Sequence, residues 1–166
     1  LFIQADAASR RGLTQVLGPM DRLPAWIVIS ATALLLFGGL EVADLFAPES
    51  DATKVKELAE APLSLFLGVG VLVVILEALF WTVCFVEFGA KYLRSPLLGA
   101  ALGVLGYGVV FHWPGGLVPI VASSWIALVL NSSYVLLRQR SRALAVVSTV
   151  TLKVAFILSV AFSIYA

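Results

Sequence analysis

Three ionisable residues stand inside long apolar stretches of the sequence: Glu77, His112 and Lys153. A charge in the core of a bilayer is costly, so such a residue must face protein, water, a metal or a partner. Counted from the nearest basic loop at about 1.5 Å per helical residue, they lie at depths of about 21, 27 and 16 Å, respectively. These depths overlap within the error of helix tilt, so the spacing is consistent with one internal polar site shared by three helices.

The chemistry open to this site differs between its members. Glu77 and Lys153 are interpreted first as a structural ion pair that locks two helices, with catalysis, metal binding or contact with another subunit or a lipid as alternatives. His112 precedes Trp113 at the end of an apolar stretch, which is typical of an interfacial anchor. A histidine needs two or three further ligands to hold a metal, and the chain has no other histidine, so we expect no metal site.

Other acidic residues have simpler interpretations. Glu87 precedes Lys91 by four residues, a spacing that predicts a surface ion pair on one helix. Glu41 and Asp44 lie near the end of an apolar stretch, from which they reach lipid headgroups.

The composition restricts the class of protein. Of 166 residues, 61% are hydrophobic and only 13% are charged, with a mean hydropathy of +1.03. These values exclude a water-soluble globule and a disordered chain. The net charge of +1 gives no sign of a nucleic-acid partner. The single cysteine, Cys84, excludes an internal disulfide and a cysteine-based zinc site.

The apolar stretches predict an all-α fold, a polytopic membrane protein with a five-helix transmembrane bundle. A bilayer span needs about 20 mostly apolar residues. Lipid offers no hydrogen-bond partner to backbone groups, so such a run crosses it as a continuous helix. Proline stands at the start of three stretches, where its missing N–H costs nothing. The predicted spans are about 24–46, 62–89, 96–111, 117–137 and 143–166, and residues 1–23 are predicted to form an N-terminal interfacial segment.

Basic residues predict the orientation of these spans. Five alternating helices place eight lysines and arginines on one side of the membrane: Arg10, Arg11, Arg22, Lys91, Arg94, Arg138, Arg140 and Arg142. The opposite side receives only Lys54 and Lys56 among several acidic residues. The positive-inside rule then puts the N-terminus on the positive (cytoplasmic, stromal or matrix) side. A missed helix would distribute the basic residues over both sides, so their one-sided distribution supports the count of five.

Small and polar residues mark two spans. Gly99 and Gly103 form a small-xxx-small pair, which predicts close packing of the third helix against a neighbour. The fourth span is unusually polar, and its side chains are expected to bond between helices. They are Ser123, Ser124, Asn131, Ser132 and Ser133.

Two of the site residues lie in motifs that resemble the CAAX-protease and bacteriocin-processing (CPBP) family of intramembrane proteases. That family carries Glu-Glu-x-x-x-Arg, then Phe-x-x-x-His before a proline turn, then His-x-x-x-Asn. The run from Leu76 to Trp81 is similar to the first motif, and Gly108 to Pro114 is similar to the second. The resemblance extends over roughly residues 62–160.

The resemblance implies a glutamate and histidines that organise catalysis or metal around an intramembrane water, and only Glu77 and His112 carry over. Leu76 and Trp81 replace the first glutamate and the arginine of the first motif, and Gly108 replaces the phenylalanine of the second. The stretch corresponding to the third motif has no histidine, and Lys153 falls near its asparagine. This departure predicts a catalytically dead relative whose former site became an ion pair.

Three functions remain open at this point, whereas a transporter is disfavoured because five spans give no internal duplication and no matched pair of broken helices. The first is a non-catalytic accessory, assembly or scaffold subunit of a larger membrane complex, with the lipid bilayer and other membrane subunits as partners. The second is an active protease that uses Glu77 and His112. The third is a pigment- or quinone-associated subunit of a photosynthetic or respiratory complex, because histidine, glutamate or asparagine side chains can ligate a pigment magnesium and ten phenylalanines, four tyrosines and four tryptophans could line its ring. Apart from lipid or pigment, no cofactor is expected.

Overall fold

The computed structural model of the chain describes residues 23–46 and 65–165, and every regular element within these ranges is helical. The predicted interfacial segment therefore lies outside the described residues, except for Leu23. The predicted headgroup contacts of Glu41 and Asp44 also lie outside them, since the structure describes the backbone there but not the side chains.

Five helices follow one another within the described ranges. Helix α1 is Ala25–Phe46, α2 comprises residues 66–92, α3 is Pro96–Phe111, α4 is Leu117–Arg138 and α5 is Arg142–Tyr165. These limits lie close to those predicted from hydropathy. Pro96 begins α3 behind Ser95, whose hydroxyl accepts a hydrogen bond from the Leu98 amide as an N-cap.

Three of these helices are long and apolar enough to cross a membrane: Leu67–Tyr92, Leu117–Arg138 and Arg142–Phe162. The protein is therefore membrane-embedded through these segments. The apolar stretches Ala25–Gly39 of α1 and Pro96–Phe111 of α3 are shorter than a straight bilayer crossing requires.

Helix α4 is the centre of the bundle and packs against all four other helices. Its C-terminal part belongs to a buried cluster of Val28, Val86, Tyr134, Val135, Leu137 and Ala145, and its middle to a second cluster of Leu36, Val129, Leu130, Leu152 and Phe156. The Trp125 indole donates a hydrogen bond of 3.1 Å to the Leu35 carbonyl and ties α4 to α1. Large apolar side chains on the outer surface, such as Leu34 and Val147, are suited to contact with lipid.

Helices α2 and α3 contain wide π-helical turns. In α2, the π segments Phe66–Gly70 and Ala78–Cys84 alternate with the α-helical segments Val71–Glu77 and Phe85–Tyr92. In α3, the π segment Leu105–Phe111 follows Pro96–Val104. Such turns shift the angular phase of all side chains beyond them, and they frequently occur at functional sites.

Candidate functional site

Glu77 and Lys153 meet inside the bundle, between α2 and α5. The Lys153 Nζ donates a hydrogen bond of 2.9 Å to Glu77 Oε2. The Lys153 residue is only 3% exposed, whereas the Glu77 side chain is 20% exposed. An ammonium buried so completely in an apolar bundle requires a counter-charge, and the carboxylate supplies it.

A third helix contributes Tyr107 to the same site. Its hydroxyl donates a hydrogen bond of 3.2 Å to Glu77 Oε2, and the Lys153 Nζ lies 4.4 Å from the centre of its ring. This distance is within the range of a cation–π interaction. We refer to Glu77, Tyr107 and Lys153 as the central cluster. Sequence reasoning missed Tyr107, whose only signal is its place between Gly106 and Gly108 in an apolar helix.

The two donors of the central cluster use the same carboxylate oxygen. Oε2 of Glu77 accepts from both Tyr107 and Lys153, while Oε1 has no hydrogen-bond partner among the described residues. The exposed part of the Glu77 side chain leaves room for one. The carboxylate is thus anchored on one oxygen, and the other remains an acceptor for water or a ligand.

His112 lies next to Tyr107 rather than being bonded to Glu77. Its Nδ1 is 2.7 Å from the Tyr107 backbone oxygen, and the two rings meet edge to face at 4.7 Å. Because a carbonyl only accepts, Nδ1 carries the hydrogen, and Nε2 of a neutral ring is left as the acceptor. Tyr107 is therefore in contact with both residues that the CPBP resemblance would place in one reaction centre.

The π segments position the central cluster. Glu77 directly precedes the π segment Ala78–Cys84, and Tyr107 belongs to the π segment Leu105–Phe111. Aromatic rings from both segments pack together, with Trp81 contacting Tyr107 and Phe111 at centroid distances of 6.3 and 6.0 Å. The widened turns thus direct the carboxylate and the phenol toward the same interior point.

A second cluster consists of Glu87, Tyr134 and Arg138, and we call it the end cluster. It lies nearer the positive end of the bundle, which carries the basic α2–α3 and α4–α5 loops. Arg138 donates from Nε to Glu87 Oε1 at 2.6 Å and from Nη2 to Oε2 at 3.2 Å. The Tyr134 hydroxyl donates to Oε1 at 3.0 Å. The i,i+4 spacing predicted Lys91 as the ion-pair partner of Glu87. Spacing within one helix carries no information about α4, so Arg138 was not predicted. The structure adds this bidentate clamp between α2 and α4.

Gly99 and Gly103 lie where α3 crosses α2. A Cβ atom on Gly99 would overlap the Phe85 carbonyl oxygen, and one on Gly103 would overlap the Trp81 carbonyl oxygen. Gly89 of α2 faces Gly99 in the same way. Only glycine permits this approach, which holds α3 and its Tyr107 against α2.

The described residues contain no group of three or more His, Cys, Asp or Glu side chains that could hold a metal ion. Comparison of the chain with family models, curated proteins and solved structures finds no match.

Proposed function

We propose that this chain is a non-catalytic five-span membrane protein, acting as an accessory, assembly or scaffold subunit of a larger membrane complex. The observation that carries this proposal is the engagement of Glu77 by Lys153 and Tyr107. An ammonium at hydrogen-bond distance supplies the positive charge that a catalytic metal would otherwise bring, so the carboxylate is suited to joining helices.

Contacts at one end of the bundle support the five-span topology. Glu87, near the end of α2, pairs with Arg138 at the end of α4. Arg142, at the start of α5, also lies close, with its Nε 3.8 Å from Glu87 Oε2. Val28, near the start of α1, packs in the same buried cluster as Leu137. The α2–α3 and α4–α5 loops and the start of α1 therefore share one end, as alternating spans require.

The single native cysteine makes this topology testable. We would replace Cys84 with serine and introduce Arg140→Cys or Trp113→Cys, which lie at opposite ends of the bundle. A membrane-impermeant maleimide applied to sealed cells should label the Trp113→Cys variant alone, and inverted vesicles should give the reverse. Labelling of both positions from the same side would overturn the five-span arrangement.

The subunit role is tested by the size of the native assembly. The 17.7 kDa chain, tagged and extracted from its own membrane in mild detergent, should migrate on native gels in a complex of fixed composition. Lys153→Met should weaken this assembly along with the fold, whereas the exposed control Ser132→Ala should not. A chain that migrates only as a free monomer would contradict the proposal.

An active protease of the CPBP type is the second candidate, favoured by the contact of Tyr107 with both Glu77 and His112. His112→Ala is the sharper test, because it leaves the Glu77–Lys153 pair intact. A protease would lose cleavage of membrane substrates in this variant and also in Glu77→Gln. Unchanged cleavage in both variants would exclude this function.

A pigment-binding subunit is the third candidate, favoured by the orientation of the His112 ring. A histidine that ligates a metal commonly donates its other ring N–H to a carbonyl, as Nδ1 does here toward Tyr107. The absorption spectrum of the chain purified from its own membrane should then show a pigment band that disappears in His112→Ala. A spectrum with aromatic absorbance alone would exclude it.

A further inference from the structure

Polar side chains are buried in a layer between the central and end clusters. The layer draws on three helices, α2, α4 and α5, and all its members are buried. They are Thr82, Asn131, Ser133, Ser148 and Thr149. We call this set the polar layer.

Contacts of three members of the polar layer place them at a similar depth. On α2, Thr82 lies midway between Glu77 and Glu87, about 7 Å from each along the axis. Asn131 Nδ2 lies 3.5 Å from Thr82 Oγ1, so the two residues share this level. On α5, Thr149 is one turn from Lys153, which contacts Glu77.

Three atoms of the layer have unused bonding capacity. Asn131 Oδ1, Ser133 Oγ and Thr149 Oγ1 are buried and have no hydrogen-bond partner within the part of the chain that the structure describes. The residues are 1%, 2% and 1% exposed. A buried polar atom without a partner is unfavourable, and an internal water molecule is its usual partner.

Two other hydroxyls of the bundle bond within their own helix. The buried Thr32 donates to the Val28 carbonyl one turn earlier at 2.6 Å, and the half-buried Ser159 donates to the Phe156 carbonyl at 2.7 Å. This local bond is open to any helical serine or threonine. Ser133 and Thr149 do not make it, so their hydroxyls are available to a partner outside the backbone.

We propose that water held by the polar layer connects the end cluster to Glu77 and that the bundle conducts protons along this route and onward past Tyr107 to His112. Protons enter beside Glu87 and Tyr134 at the positive end. The unpartnered atoms Asn131 Oδ1, Ser133 Oγ and Thr149 Oγ1 hold the water between the two clusters. Chains of ionisable and hydroxyl side chains across a membrane are characteristic of proton relays.

Glu77 is the proton-accepting station of the route. A proton from the water layer binds Oε1, the oxygen not engaged by Lys153 or Tyr107, and forms a neutral carboxylic acid. Until that proton leaves, the Lys153 ammonium is stabilised by the Tyr107 ring, whose centre lies 4.4 Å from Nζ. Loss of that proton toward His112 Nε2 restores the carboxylate and its pairing with Lys153. Only O–H and N–H bonds form and break, and His112 passes the proton to solvent at the opposite end.

Proton flux into vesicles tests this proposal. The full chain is reconstituted into phosphatidylcholine–phosphatidylglycerol vesicles loaded with KCl and an internal pH dye, and valinomycin sets the potential. We expect flux above that of protein-free vesicles, and its loss in the double variant Glu77→Gln/Lys153→Met. Flux equal to protein-free vesicles for the unmodified chain would overturn the proposal.

The chain offers matched controls for the layer itself. Thr149→Val and Ser133→Ala remove buried hydroxyls, whereas Thr151→Val and Ser132→Ala make the same changes at exposed positions of the same helices. Thr149→Val should lower the flux about fivefold, the rate equivalent of one lost hydrogen bond. Thr151→Val should leave it unchanged. Equal flux in the two threonine variants would exclude a route through the polar layer.

Thermal unfolding tells a hydrated layer from a dry one. In a dry layer, Thr149→Val removes an unpaired hydroxyl and raises Tm. In a hydrated layer, the same change breaks hydrogen bonds to water and lowers Tm, while Thr151→Val serves as the reference. A raised Tm would overturn the proposal.

The inference requires the chain to span the membrane, and cysteine labelling tests that requirement separately from conduction.

Discussion

The central and end clusters combine the same three chemical groups, a carboxylate of α2, a tyrosine hydroxyl and a basic side chain, yet they differ in what they can do. In the end cluster both oxygens of Glu87 are occupied, and the cation is Arg138, which keeps its proton in proteins. In the central cluster one oxygen of Glu77 is occupied, and the cation is Lys153, which can lose a proton. The end cluster is a clamp between helices, whereas the central cluster can still bind and release a proton.

Position along the helices explains this difference. The end cluster joins two helices next to the basic loops, where Arg142 and solvent share the charge of Glu87. The central cluster joins three helices and lies where no other charged side chain among the described residues contacts Glu77. We therefore expect the two clusters to respond differently to mutation.

The largest effect is expected when one partner of the central cluster is removed. Lys153→Met leaves the Glu77 carboxylate charged and unpaired inside the bundle, which should cost about 3–5 kcal/mol of unfolding free energy. The double variant Glu77→Gln/Lys153→Met should lose less than this single variant. Chemical unfolding in detergent micelles measures both. Equal or additive losses would show that the two side chains do not depend on each other.

The end cluster should be sensitive to geometry as well as charge. Arg138→Lys keeps the charge but loses the two-pronged hydrogen bonding to Glu87, at a cost of about 2–3 kcal/mol. The same unfolding measurement applies, with Ser132→Ala as a control on the exposed face of α4. Stability close to that of the unmodified chain would show that the bidentate geometry is dispensable.

The α2–α3 crossing holds Tyr107 of the central cluster in place, and Gly103 tests it. Gly103→Ala places a methyl group against the Trp81 carbonyl and should cost about 1–2 kcal/mol. Gly38 of α1 has open space at its Cβ position and is the matched control. Gly38→Ala should leave stability unchanged or raise it, because alanine favours helix. Similar losses in both variants would contradict a role for close approach.

The smallest effect is expected at the rim of the end cluster. The Arg142 side chain is 59% exposed and lies 3.8 Å from Glu87, so Arg142→Gln should cost at most about 0.5 kcal/mol. Raising the salt concentration should remove even this difference, since exposed charges are screened. A large loss that persists at high salt would place Arg142 with Arg138 in the clamp.

Sequence alone predicted the helix limits and the common depth of Glu77 and Lys153 well, for a simple reason. Apolar runs and prolines mark helix ends, and a nearly constant rise per residue converts residue number into depth. Rotation about the helix axis was beyond this reasoning. The π turns change the angular positions of side chains along α2 and α3, and the partners Tyr107 and Arg138 were not predicted.

The widened turn Ala78–Cys84 has a consequence for the whole of α2. A helix with such a turn carries one more residue than a regular helix of equal length. Regularising this turn without removing a residue would rotate the following half of the helix by about 100°. Glu87 would then point away from Arg138, while Glu77 kept its contact with Lys153. One inserted amino acid thus sets the angular register between the two carboxylates of this helix.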